Sequence, residues 1–381
     1  MTRQDPGGLP AGEEGYRLAL LSRIRRGLAS PEVRILLVSV TIHLLLQLAL
    51  NWMMPFPNYS ELGMGDATAY YPISAEPFPS QPAFSPNKYR RILLPLLVRT
   101  LFSWDRHFGF LIVNVVAVSL ASVFFYRIAR RHTAHPVELT LLFSAVPYLF
   151  TSAHLGYAEP LMVAGLLAGY DAWDQRRTGQ SVVWNAVAVL AKEIAVFPVL
   201  ALIAVTCLQR RWREALILGL AFVPAAAYYL ALGWHWGDPL WLLGGDVERL
   251  NIGFTPLAIV DLIVNGGAPE FVPPWFLVLN QMGNVALLGL LSLAIYALRK
   301  RKDLCLYLVI TSVPLLFLGW AVVFLNWHVG RQALLSSLSV LAADRLLPRW
   351  KRWLWPVVLL MLFWSLFQSL FWAKFFWIHK F

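Results

Sequence analysis

Apolar runs long enough to cross a hydrocarbon core about 30 Å thick recur along this chain from Ile35 to Trp377. Each such run must close its backbone hydrogen bonds within itself, because lipid offers the amides no partner, and a helix does this. Composition agrees. With 58% hydrophobic residues, 14% charged residues and a mean hydropathy of +0.59, the 381-residue chain is too apolar for a soluble domain. It reads as an all-α, polytopic, integral membrane protein with no stretch left over for a large soluble domain. Residues 1–34 form a polar, basic segment without a cleavable signal, and the first apolar run, Ile35 to Trp52, reads as a signal anchor. Cys207 and Cys305 have no metal-ligand spacing, so neither a disulfide framework nor a zinc site is expected.

The net charge of +11 is distributed as a topology signal rather than as a nucleic-acid surface. Basic clusters at Arg23 to Arg34, Arg127 to Arg131, Arg176 and Arg177, Arg210 to Arg213, Arg299 to Lys302 and Arg345 to Arg352 mark the cytoplasmic side, which puts the N-terminus inside. The transmembrane domain then covers 35–377. Nine full spans fall at about 35 to 53, 108 to 127, 137 to 153, 158 to 174, 214 to 234, 275 to 298, 303 to 325, 330 to 347 and 353 to 377. The run 182–207 has basic clusters at both ends, so it must enter and return. Its two arms have about a dozen residues each, roughly 18 Å at 1.5 Å per residue, too short to cross. A pair of short half-helices turning near Lys192 and Glu193 fits, and charges at such depth call for protein or water around them. The alternative is one long tilted helix whose Lys192 and Glu193 pair across the bundle.

This orientation leaves a large first extracytoplasmic loop, 54–107, and a second long one, 235–274. Lys88, Arg90, Arg91 and Arg331 are among the few outer cations. The stretch NKYRRILLPLLVRTLF, 87–102, reads as an amphipathic interfacial helix, on which arginines sit at the height of lipid phosphates and bind them bidentately. Snorkelling to bulk headgroups is the other reading of Arg90 and Arg91. Asp66, just after glycines at 63 and 65 that allow a tight turn, has the chemistry of a general base when substrate closes over it; it also fits a turn residue bonding its own backbone. Tyr70 and Tyr71 either stack on a ligand or pack the loop. Glu159 is read as a helix cap beside Pro160 or as a cavity acid, and Glu193 has the adjacent Lys192 as its simplest partner. His328 stands near Arg331 in the last outer loop. No nucleotide-phosphate loop, nucleophile elbow or metal-binding histidine pair occurs, which disfavours a cytosolic nucleotide-sugar enzyme. No cofactor is called for; the outer-loop carboxylates lack ligand spacing, and a divalent metal is left open.

The order GlyAspAlaThrAlaTyrTyr at 65 to 71, AlaGluProPhe at 75 to 78 and TyrArgArgIleLeuLeuPro at 89 to 95 resembles the first outer loop of GT-C superfamily glycosyltransferases. TyrAlaGluProLeu at 157 to 161, AlaLysGluIleAla at 191 to 195 and HisValGlyArgGln at 328 to 332 extend the likeness. It is nearest to bacterial members implicated in cell-surface glycopolymer formation, although Ala67 stands where that subgroup has glycine and AlaGluPro replaces AspPro. The resemblance implies a GT-C-like fold in a bacterial inner or plasma membrane. It also implies sugar transfer from a polyprenyl-phosphate donor to a glycan, lipid or protein acceptor on the extracytoplasmic side. Asp66 would be the catalytic base, with Arg90, Arg91, Arg331 and Lys88 on the donor phosphate. Tyr70, Tyr71, Glu159, Lys192, Glu193 and His328 would line the cavity. A lipid-carrier flippase and a non-catalytic scaffold of glycopolymer assembly are the alternatives. Membrane lipids are expected partners and nucleic acid is not.

Overall fold

The computed structural model describes residues 30–53, 66–84, 86–238, 255–265, 274–317, 331–345 and 351–378, and the regular structure among them is helical. The first helix among the described residues, α1 (Pro31–Met53), begins with proline and an acid in its first turn, both suited to a helix start. The described part of the segment expected to form the first outer loop is largely helical. It contains α2 (Asp66–Ala75), the single turn α3 (Pro86–Tyr89) and α4 (Leu93–Leu101). Next comes α5 (Arg106–His132), capped by Asp105, whose side chain accepts from the Phe108 amide at 3.0 Å, and closed by Arg130, Arg131 and His132 at the negative end of its dipole. Then follow α6 (Pro136–Ser144), α7 (Pro147–His154), α8 (Glu159–Asp174), α9 (Thr178–Ala191), α10 (Val196–Leu208), α11 (Trp212–Gly219) and α12 (Val223–His235). The series ends with α13 (Thr255–Asn265), α14 (Pro274–Leu298), α15 (Lys302–Ser312), a 3-10 segment Leu334–Arg345, and α16 (Leu354–Ile378).

Among the described residues four helical stretches are long and apolar enough to cross a membrane: Pro31–Ala49, Arg106–His132, Trp212–His235 and Gln281–Leu298. A fifth follows if α6 and α7, bent by 47°, cross as one. This is a helical membrane protein, but nine full spans are not found, and the reasons are local. Pro147 pushes Val146 out of the helical region (φ −59°, ψ 117°) and splits 137–153. The run 158–174 yields a helix of 16 residues, about 24 Å long. The run 330–347 winds as 3-10 turns from Leu334, and 303–325 is described only to Phe317. The last run is helical over 25 residues, with side chains described for only part of it.

Ion pairs collect at the helix ends, as they must when the middle is apolar. At one end Arg130 meets Glu32 at 3.1 Å, Arg131 reaches Asp171 and Asp174 at 2.7 Å each, and His132 approaches Asp174 at 3.1 Å. These contacts place the start of α1 with the ends of α5 and α8. Between the ends, the largest core is built from α5, α6, α8, α9 and α10, with Phe125 and Phe143 stacked at 4.5 Å.

Two features of this packing bear on the site. On α1, Ser39, His43 and Gln47 recur every four residues and all are buried. They face inward: Ser39 meets Ser122 of α5 at 3.3 Å, His43 stacks on Phe150 of α7, and Gln47 Oε1 lies 2.6 Å from His154 Nδ1. In the second, α8 presents Gly165 and Gly169, four residues apart, to α9. A Cβ at Gly165 would stand 2.9 Å from the Trp184 carbonyl oxygen, and one at Gly169 would lie 2.7 Å from the Asn185 amide. Small residues at this spacing let two helix backbones approach closely, and Ser181 then donates to the Gly169 carbonyl at 2.9 Å. We expect Gly165→Val to force these helices apart at a cost of about 1–3 kcal/mol. Thermal unfolding of the detergent-purified protein would show this as a lower midpoint, whereas Gly179→Val, where a Cβ meets nothing within 4 Å, should leave the midpoint nearly unchanged.

Candidate functional site

The site begins with a break in the chain. α9 stops at Ala191 because Lys192 is extended (φ −157°, ψ 129°), a 3-10 turn covers Glu193–Ala195, and α10 then leads away. The two arms return to one end of the molecule: Thr178, opening α9, donates to Glu214 just beyond α10, and Trp173 at the end of α8 donates to Thr206 near the end of α10 at 2.8 Å. A single long tilted helix over 182–207 is thereby excluded. Lys192 and Glu193 sit at the tip, beside the start of α8.

Three charged side chains from distant segments, Glu159, Arg331 and Arg91, gather at this tip. Glu159, the first residue of α8, is fully buried, and its Oε1 receives both Lys192 Nζ and Arg331, the latter through Nε at 2.6 Å. Lys192 and Arg331 are themselves only 1% and 5% exposed. The Arg331 guanidinium also lies over the Tyr157 ring, 4.1 Å from its centroid, an attraction that desolvation strengthens. Glu193 points the other way and takes a two-pronged contact from Arg91, with Nε at 2.9 Å from Oε2 and Nη2 at 2.6 Å from Oε1. Lys192 therefore pairs across the bundle with Glu159, and Glu193 with Arg91. The adjacent pair expected from the sequence does not form. Nor is Glu159 a mere cap, since it carries two cations.

Arg91 reaches Glu193 because the predicted amphipathic helix is interrupted. Within a continuous helix the Pro95 ring would clash with the Arg91 carbonyl and supply no amide to it. The chain instead turns at Arg90 to Ile92, and α4 starts at Leu93 with the Leu96 amide bonded to the Ile92 carbonyl at 2.9 Å. Leu94 and Val98 of α4 pack with Tyr70 of α2 and Phe110 of α5, so the loop is docked on the bundle. Two further tyrosines, unmarked in the sequence reading, hold the turn from α12: Tyr228 donates to the Tyr89 carbonyl at 2.9 Å and Tyr229 to the Arg90 carbonyl at 3.4 Å.

The remaining expected site residues are dispersed. Tyr70 is buried and packs the loop, while Tyr71 stacks on His107 at 4.2 Å with Arg106 over its face. Lys88 and Arg90 are half-buried. The backbone of Asp66 opens α2, but its side chain lies outside the described residues, as does His328. The geometry thus unites Glu159, Lys192 and Arg331, sets Arg91 and Glu193 at the same helix break, and adds Tyr157. The first three carry a net charge of +1 in a place shielded from water, so the group is suited to holding anionic oxygen.

The sharing has a testable consequence. Glu159→Gln removes the carboxylate that two buried cations share and should cost about 3–5 kcal/mol. Lys192→Met leaves the Glu159 and Arg331 pair neutral and should cost clearly less. Thermal unfolding of the two variants side by side measures the order, and a milder effect of Glu159→Gln would contradict the shared-carboxylate reading. No protein family model, curated protein or solved structure matches this chain.

Proposed function

We propose that the chain is a membrane glycosyltransferase of GT-C type that moves a sugar from a polyprenyl-phosphate donor to an acceptor on the extracytoplasmic side. The observation that carries this reading is the convergence of Arg91, Lys192 and Arg331, from three distant segments, on one helix break with carboxylate partners. A phosphate ester offers the same oxygens as Glu159 and Glu193, so it can exchange with them on the planar guanidinium forks. The order of motifs in the first outer loop supports the same class. In this reading the N-terminus is cytoplasmic, the Lys192 break faces the outer side, and the remaining apolar runs complete the crossings.

Asp66 acts as the base. It takes the proton from the acceptor hydroxyl as that oxygen attacks the anomeric carbon; the bond from this carbon to the phosphate oxygen breaks, and the phosphate leaves with the electron pair. A single displacement inverts the configuration. Arg91 and Arg331 hold the charge that grows on the leaving phosphate, with Arg90 and Lys88 at the entrance.

The test is transfer of radiolabelled sugar from synthetic polyprenyl-phosphate sugars by purified wild type and Asp66→Asn in parallel. Wild-type transfer with a loss of about 10²-fold or more in the variant is expected, with lipid-phosphate binding retained. Near-normal turnover in Asp66→Asn removes Asp66 as base. Binding by both proteins with no bond cleaved for any acceptor favours the carrier or scaffold reading instead. Arg91→Met should weaken donor binding, read as a raised KM for the donor.

A further inference from the structure

A half-open groove of about 680 Å³ runs between α14, the bend from α6 to α7 and the 3-10 segment Leu334–Arg345, from Ala333 and Leu334, which follow Arg331 closely in the chain, toward Arg299 and Arg345. Its volume lies within the roughly 300–1,000 Å³ of ordinary ligand pockets. Its walls are almost wholly apolar, with Val146, Leu290, Leu293 and Val340 among them, and two arginines, Arg299 and Arg345, complete the lining. Both belong to helix-end basic clusters, Arg299 leading into Lys300, Arg301 and Lys302. Arg299 is held in place: its guanidinium lies 3.8 Å from the Tyr296 ring centroid and Nη1 donates to the Tyr296 carbonyl at 2.9 Å. Arg345 is exposed, and among the described residues no acid is paired with either arginine.

We propose that this groove holds one anionic phospholipid of the cytoplasmic leaflet, its acyl chain along Leu290, Leu293 and Val340 and its phosphate on Arg299 and Arg345. An apolar trough closed at one end by unneutralised guanidinium groups matches a lipid tail with an anionic head. A zwitterionic lipid would bring a choline cation toward the same arginines, and a soluble phosphate would leave the trough unfilled. The assignment of leaflet rests on the orientation proposed above. The lipid contact itself does not depend on sugar transfer, so a chain inactive in transfer would still retain the lipid.

The test is native mass spectrometry of the detergent-purified full chain incubated with phosphatidylglycerol or with phosphatidylcholine of identical acyl chains. We expect preferential retention of phosphatidylglycerol. The double variant Arg299→Gln with Arg345→Gln should lower its retention on the order of tenfold, while Arg299→Lys with Arg345→Lys keeps the preference. Leu293→Trp, which fills the trough, should lower retention of both lipids. Each variant is compared with wild type by thermal unfolding, and the lysine pair carries the charge test if the glutamine pair does not fold. Equal retention of the two lipids by wild type, or an unchanged preference in the folded glutamine pair, would overturn the proposal. So would retention of neither.

Discussion

The arrangement of this protein depends on one buried carboxylate shared by two cations. Glu159 starts α8, Lys192 ends α9, and Arg331 opens the segment that leads into the 3-10 turns, so a single side chain ties three parts of the bundle together. Each partner would be expensive in an apolar interior without the others. The contact therefore sets the depth at which the α9–α10 hairpin turns. The close packing of α8 on α9 at Gly165 and Gly169 has the same effect, because it brings the start of one helix against the end of the other.

From this anchor the segment between α1 and α5 acquires its shape. Glu193 follows Lys192 and is turned outward by the same break, where Arg91 meets it. Arg91 is available because Pro95 prevents a helix from continuing through it. The loop is then fastened on its other side by tyrosines of α12. A proline, a helix break and two distant hydroxyls together convert a stretch that looks like a surface helix into a piece of the protein interior.

The hairpin and its turning point were legible because basic clusters flank 182–207 on both sides and the arms are too short to cross. The charged residues that meet at the helix break, Arg91, Glu159, Lys192, Glu193 and Arg331, also stood out as charges in places where a membrane protein carries few, whereas Asp66 and His328 have side chains outside the described residues. The pairing of the charges at the break was not legible. Glu159 and Arg331 stand 172 positions apart and Arg91 and Glu193 102 apart, and nothing in local pattern joins such residues. Charge proximity in sequence favoured Lys192 with Glu193, and packing overruled it. The glycine pair on α8 was a readable signal of close helix approach that periodicity alone does not weigh. Counting spans by hydropathy failed where proline or 3-10 winding cuts an apolar run, as at Pro147 and after Leu334.

The inward face of α1, with Ser39, His43 and Gln47 at four-residue spacing, has a consequence for biogenesis. This helix is made before its partners on α5 and α7, which are synthesised some distance later in the chain. Until they arrive, a polar stripe on α1 has no protein to face, so the helix gains its full membrane stability only when the later segments dock. α1 is thus a waiting element with a built-in register mark, and the order of synthesis becomes part of how the bundle finds its arrangement.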